Sequence, residues 1–206
     1  AGCVRSAKRN VSSLPNAEIV QGDLLHPPFR EGCFSFILSE GVLHHTPSTE
    51  EALKSCCSLL GRGGEFAFYL YRKRGPIREF TTDLLRSLMR DAPSEEKWRM
   101  AEKLTRLGRA LSRLKAKVNV PGIPKLGIKG GHVDLQRFVY WNFLKCFWND
   151  ELTFQENVIV NFDWFAPEYG HRHTADQIRE WCNENHLEIR WLNGGKSGYS
   201  VRAVKK

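Results

Sequence analysis

Two adjacent histidines, His44 and His45, sit in the stretch Ser39-Glu40-Gly41-Val42-Leu43-His44-His45-Thr46-Pro47. It directly follows the apolar run Phe34-Ser35-Phe36-Ile37-Leu38. Imidazoles in such a place have three chemical uses: holding a metal, taking a proton, or forming the lip of a cofactor pocket. A metal fits the pattern poorly. Helical ligand pairs stand at i and i+4 rather than side by side, and no Cys or carboxylate is spaced to complete a set. Taking a proton suits a ring whose unperturbed pKa is about 6.5. Neighbouring side chains diverge on a helix, so one histidine would face a pocket while the other packs or bonds locally. Glu40 could line the same rim. His171 and His173 are further candidates, although their place beside Tyr169 and ahead of Thr174 equally suits a structural role.

These residues need a scaffold, and 206 residues are enough for one domain with a sizeable insertion. Hydrophobic residues make up 41% and aromatics 11%, so a real core can form. No apolar run approaches the ~20 residues of a membrane span, and the opening residues show no charged-then-apolar pattern of the kind expected of a signal peptide. The expected location is cytoplasmic. The net charge of +8 is spread along the chain. It fits either a solvated basic face or an anionic partner. None of the six cysteines forms a C-x-x-C pair, and all six read as small apolar fillers.

Along the chain, Val4–Asn10 reads as a helix and Ala17–Val20 as a short strand. Phe34–Ser39 is a strand apolar on both faces, as in a parallel sheet covered by helices. Ser48 or Thr49 caps a helix whose stripe is Ala52, Leu53, Cys56, Leu59 and Leu60. Gly61-Arg62-Gly63-Gly64 ends that helix as a turn, and Glu65–Tyr71 is the next strand. Strands joined by helices predict a parallel α/β sheet. Ile77–Met89 and Ser94–Leu114 have helical periodicity, with Trp98, Ala101, Leu104, Leu107 and Leu111 on one face. Residues 120–131 read as a loop, and 133–148 as an aromatic helix. Thr174 caps a helix over 175–185, and Leu187–Leu192 with Tyr199–Val204 form an antiparallel hairpin.

Three segments resemble class I S-adenosylmethionine-dependent methyltransferases, in particular the subgroup of ubiquinone and menaquinone biosynthesis enzymes and small-molecule methyltransferases. They are Glu18-Ile19-Val20-Gln21-Gly22-Asp23 with Pro28-Phe29, Phe34–Ser39 with Gly41-Val42-Leu43-His44-His45, and Leu60-Gly61-Arg62-Gly63-Gly64-Glu65-Phe66. Asp163-Trp164-Phe165-Ala166-Pro167 with His171 and His173 is similar to some members. Ser35 and Arg62 depart from the family's usual Asp and Pro.

The resemblance implies a Rossmann-like methyltransferase sheet, mostly parallel with an antiparallel C-terminal hairpin. Residues 1–75 would form part of the cofactor-binding core, 76–150 a mainly helical insertion serving as substrate cap, and 151–206 the returning core helix and hairpin. The family's glycine-rich loop and the acid that holds the ribose are absent from the sequence. The expectation is therefore an N-terminally truncated chain lacking the first two strands, inactive by itself.

By the same resemblance, S-adenosylmethionine is the cofactor. The Asp23 carboxylate accepts from the adenine amino group, Leu24 N–H meets an adenine nitrogen, and Gly22, Ser39 and Glu40 complete the cofactor set, Ser39 near the methionine end. His44 or His45 takes the acceptor's proton. Read from the residues themselves, Tyr71, Trp164, Tyr169, His171 and His173 could bind the methyl acceptor, a small or medium-sized molecule of hydrophobic or anionic character, the aromatics serving equally well as core. Two rival readings remain: an RNA methyltransferase, favoured by the charge, and a non-catalytic basic interaction module on the same fold.

Overall fold

The computed structural model of the chain describes residues 2–206, with side chains from residue 4 onward, so Cys3 falls outside the described side chains. In chain order the elements are α1 (Gly2–Val11), β1 (Phe34–Glu40), α2 (Thr49–Leu59), β2 (Leu60–Tyr71), α3 (Pro76–Met89), α4 (Ser94–Arg113), β3 (Lys117–Val120), β4 (Gly131–Asp134), α5 (Leu135–Asn142), α6 (Phe154–Phe165), α7 (Ala175–Glu184), β5 (Leu187–Gly194) and β6 (Gly198–Lys205). They fall into two compact units. Among the described residues the first comprises 2–70, 175–195 and 199–206, and the second 71–174 and 196–198.

The first unit is built on a four-stranded sheet in the order β1-β2-β6-β5. β1 and β2 run parallel, joined through α2, and β5 and β6 form an antiparallel hairpin. This is the mixed, Rossmann-like α/β arrangement the sequence predicts. α2 starts where Ser48 accepts a hydrogen bond from the Glu51 N–H at 3.2 Å, with Glu50 and Glu51 in its first turn. Both features favour a helix N-terminus. Its buried Ala52, Leu53, Cys56 and Cys57 meet Phe66, Phe68 and Leu70 of β2, Val201 and Ala203 of β6, and Ile178, Trp181 and Cys182 of α7. Each large apolar side chain buried there contributes about 1.5–3 kcal/mol. Replacing Ser48 with alanine should cost about 1 kcal/mol, measurable as a lower unfolding free energy in a urea titration.

Several expectations are corrected. Residues 17–20 form no strand, because no described strand lies beside them to take their hydrogen bonds. β1 is not covered on both faces: Ile37 and Ser39 face the core, whereas Phe36 and Leu38 are 54% and 64% exposed. Gly61–Gly64 is not a turn outside the sheet. α2 ends at Leu59 and β2 begins at Leu60. The glycines bulge within β2, where Phe34 pairs with Leu60 and Phe36 already pairs with Glu65. Gly63 takes a φ of +77°, and a Cβ on Gly64 would meet Gly61 O at 2.8 Å. Among the cysteines, Cys56, Cys57, Cys146 and Cys182 are buried, but Cys33 is exposed and fills no core.

The second unit packs α4 against α6, with α3 and α5 alongside. Met89, Leu104 and Phe165 form its apolar centre, with Leu85, Met100, Leu144 and Trp164 packed around them. The stretch read as a loop at 120–131 is flanked by a two-stranded antiparallel hairpin, β3 and β4, too short and polar to stand out in sequence. The helix expected over 133–148 is confined to α5. Beyond it the backbone runs irregularly and is held by side chains instead. Gln136 donates to Cys146 O, and Asn161 accepts from Phe147 N–H at 2.8 Å while donating to Phe147 O at 3.0 Å. Gly108 lets this segment close on α4, since a Cβ there would lie 2.5 Å from Cys146 O.

Candidate functional site

In the first unit the residues of interest lie at and beyond the carboxyl end of β1, where open parallel sheets bind ligands. Gly41, at a φ of +73°, turns the chain out of the strand into a single 3₁₀ turn, Leu43–His45. This turn separates the two histidines. His44 is fully buried beside Leu43, and His45 is half-buried, with the rings 4.4 Å apart and tilted by 60°. Tyr69 of β2 presents its ring edgewise to His44 at 6.4 Å. Glu40 is exposed. Ser39 is 7% exposed, and its buried Oγ has no hydrogen-bond partner.

Gly22, Asp23 and Leu24 form a separate turn. Asp23 Oδ1 accepts from Leu25 N–H at 2.9 Å, and His26 N–H bonds Asp23 O at 3.1 Å. The Asp23 carboxylate is exposed, with Oδ2 left over from the turn. Ser55 of α2 donates to Leu24 O at 2.8 Å and so ties the turn to the helix. Gly22 packs on Pro28, whose Cδ would lie 2.8 Å from an added Cβ. Leu24 and Leu25 rest on the same core cluster as Leu43.

The expected acceptor-binding residues come together in the second unit. The Tyr71 and Trp164 rings lie 4.6 Å apart, tilted by 42°. Tyr71 O accepts from His173 N–H at 2.8 Å, and His173 O accepts from Lys73 N–H at 2.9 Å, so a short parallel bridge fixes His173 beside Tyr71. His171 lies 6.3 Å from His173 and stacks on Tyr169 at 6.1 Å. Burial pushes the His173 pKa down to about 4, aided by the charges of His171 and Arg172. Tyr169 donates to the Glu168 carboxylate, which holds the phenol proton above its usual range.

Sequence reasoning missed Lys145 and Arg78 beside the same indole. Lys145 Nζ lies 3.8 Å and Arg78 Cζ 5.8 Å from the Trp164 ring centroid. Lys145 is 8% exposed and Arg78 4%. A lone cation within the apolar run Phe143–Trp148 was the available signal. Among the described residues no group of three His, Cys, Asp or Glu side chains could hold a metal ion. No described helix is long and apolar enough to cross a membrane.

Residues 1–68 match a family model described as a methyltransferase domain. No curated protein matches the chain. Among solved structures, a possible exported protein from Bordetella parapertussis aligns with a TM-score of 0.48 and 15% identity, over 99% of this chain and 50% of that one. A Burkholderia thailandensis 1,6-didemethyltoxoflavin-N1-methyltransferase, solved with bound 1,6-didemethyltoxoflavin and S-adenosylhomocysteine, aligns with a TM-score of 0.46 and 10% identity, over 97% of this chain and 56% of that one. A possible histamine N-methyltransferase from Thermotoga maritima aligns with a TM-score of 0.45 and 10% identity, over 98% and 71%. The chain thus spans half the length of the Bordetella protein. The methyltransferase-domain match ends inside β2, and it contains every candidate residue of the first unit.

Proposed function

We propose that the chain is part of an S-adenosylmethionine-dependent methyltransferase of the small-molecule subgroup that includes the ubiquinone and menaquinone biosynthesis enzymes. The observation that carries this reading is the Ser39 hydroxyl, buried without a hydrogen-bond partner at the carboxyl end of β1. A buried hydroxyl left unpaired costs about 1–3 kcal/mol, and native structures satisfy nearly all such groups. A bound cofactor is a natural partner at this end of a parallel strand. The domain match over residues 1–68 supports the same reading.

S-adenosylmethionine, when bound, supplies a methyl group already activated by its sulfonium charge. The chain's own residues then have three tasks. Asp23, with an oxygen left over from its turn, and Leu24 N–H hold the adenine. Ser39 and Glu40 border the methionine end. A proton leaving the acceptor needs a reachable base, and His45 suits this better than His44. A fully buried ring cannot meet an acceptor, whereas a half-buried one can.

Calorimetry with S-adenosylmethionine on the complete gene product tests the assignment. Ser39→Val and Asp23→Ala should each weaken binding about tenfold, the loss expected for one strong hydrogen bond. The Ser39→Val protein should melt no lower than the parent, because the valine replaces an unpaired hydroxyl. Unchanged affinity in both variants would remove these residues from the cofactor site.

A further inference from the structure

The second unit buries a lysine in a setting that lacks its counter-ion. Lys145 follows α5 in a segment whose backbone is held by neighbouring side chains, and it is 8% exposed. Gln136 pins the next carbonyl, Asn161 pins Phe147 on both sides, and Asn157 accepts from Asn149 N–H at 2.7 Å. The ammonium therefore rests on the Trp164 ring, 3.8 Å from its centroid. Among the described residues no carboxylate or carbonyl oxygen holds it in an ion pair or hydrogen bond.

The neighbours make matters worse for a bare cation. Burial drives the Lys145 pKa well below its usual range, and Arg78 and Arg74 push it down further. Asp163, which is exposed, acts against them only weakly. Glu79 is already taken: one oxygen accepts from Arg74 N–H at 2.7 Å and the other from Arg172 at 2.6 Å. Arg78 spends two of its nitrogens on Tyr140 O and Thr82 Oγ1. Beside this excess of positive charge, the Trp164 Nε1–H is buried with no acceptor. A lysine and a neutral donor thus share one indole: Lys145 has only the ring face for company, and the Trp164 Nε1–H has no acceptor. Both are strongly disfavoured in a folded protein.

We propose that Lys145 and Trp164 Nε1 bind the carboxylate of a small organic acid. Two donors match the two oxygens of a carboxylate, and its charge offsets the crowding of Lys145, Arg78 and Arg74. The Tyr71 and Trp164 rings, 4.6 Å apart and tilted by 42°, give the rest of the ligand an apolar wall, which favours an aromatic acid. The site lies wholly within the second unit and stands whether or not the chain transfers methyl groups.

Calorimetry with benzoate, in the absence of S-adenosylmethionine, tests it, with inorganic phosphate as the competing anion. The parent protein should bind benzoate saturably. Lys145→Met should weaken binding at least about tenfold and Trp164→Phe several-fold, in line with a charge-assisted and a neutral hydrogen bond. Lys103→Met, at an exposed position on α4, should bind as the parent does. Circular dichroism confirms that each variant is folded, and Trp164→Phe decides the matter if Lys145→Met is not. The proposal is overturned if the parent binds no benzoate, if a folded Lys145→Met or Trp164→Phe binds it equally well, or if phosphate binds as tightly. Failure here leaves the Ser39 and Asp23 results untouched, and their failure leaves this site standing.

Discussion

Asn161→Ala should lower the stability of the second unit by about 3–5 kcal/mol, the cost of leaving several buried polar groups unpaired at once. Asn161 is fully buried on α6. Its Nδ2 donates to Thr105 Oγ1 at 2.8 Å, Phe147 O at 3.0 Å and Asn157 O at 3.1 Å, and its Oδ1 accepts from Phe147 N–H at 2.8 Å. Thr105 donates onward to Ala101 O, so the side chain ties α6, α4 and the irregular segment after α5 into one network. Alanine keeps the helix but strands Phe147 N–H and O away from water. Urea unfolding measures the loss. Limited proteolysis gives a sharper reading, because cleavage should appear within residues 143–150 before the helices open. A loss below about 1 kcal/mol, or no new cleavage there, would show that the segment is held by packing instead. The segment carries Lys145, so the same variant should also weaken benzoate binding without touching the site directly.

Where one physical rule dominates, the sequence was readable. α2 has a serine cap, two acids in its first turn and an apolar stripe, and all three act together. α7 and the β5–β6 hairpin follow from similarly plain periodicity and from the turn residues between them. The failures have physical reasons. Residues 17–20 have strand-like composition, but a strand exists only through a neighbour's hydrogen bonds, and no local pattern reports a neighbour. Gly61–Gly64 matches a turn by composition, yet the close approach of backbone atoms that requires those glycines lies inside β2.

α6 was missed although its signal was present. Thr153 and Glu156 form a reciprocal capping box ahead of the helix, a three-residue spacing visible in the sequence. The candidate sites divide in the same way. Motifs mark Asp23, Ser39 and the histidine pair. Spacing does not mark Lys145, because its meaning comes from Trp164, which lies across the fold rather than near it in the chain.

His173 makes the second unit sensitive to acid, by up to about 2 kcal/mol. The ring is 7% exposed, and burial lowers its pKa from 6.5 to about 4, with His171 and Arg172 adding to the effect. The folded protein therefore binds this proton less readily than the unfolded chain. The stabilisation is fully present above about pH 6.5, and it is lost progressively as pH falls toward about 4. The full shift corresponds to about 3 kcal/mol at ~1.4 kcal/mol per pH unit, and solvent reaching part of the ring reduces it to about 2. Carboxylates also titrate in this range, so the parent must be compared with His173→Gln. The difference in unfolding free energy between the two, measured at pH 7.5 and pH 4.5, should shift by about 2 kcal/mol against the parent at the lower pH. A constant difference would mean that the ring is solvated in the folded state. Because His173 is bonded through its backbone to Tyr71, any loosening of the fold around the charged ring reaches the bridge beside Trp164. Benzoate binding should accordingly weaken in the parent over the same pH interval, and weaken less in His173→Gln.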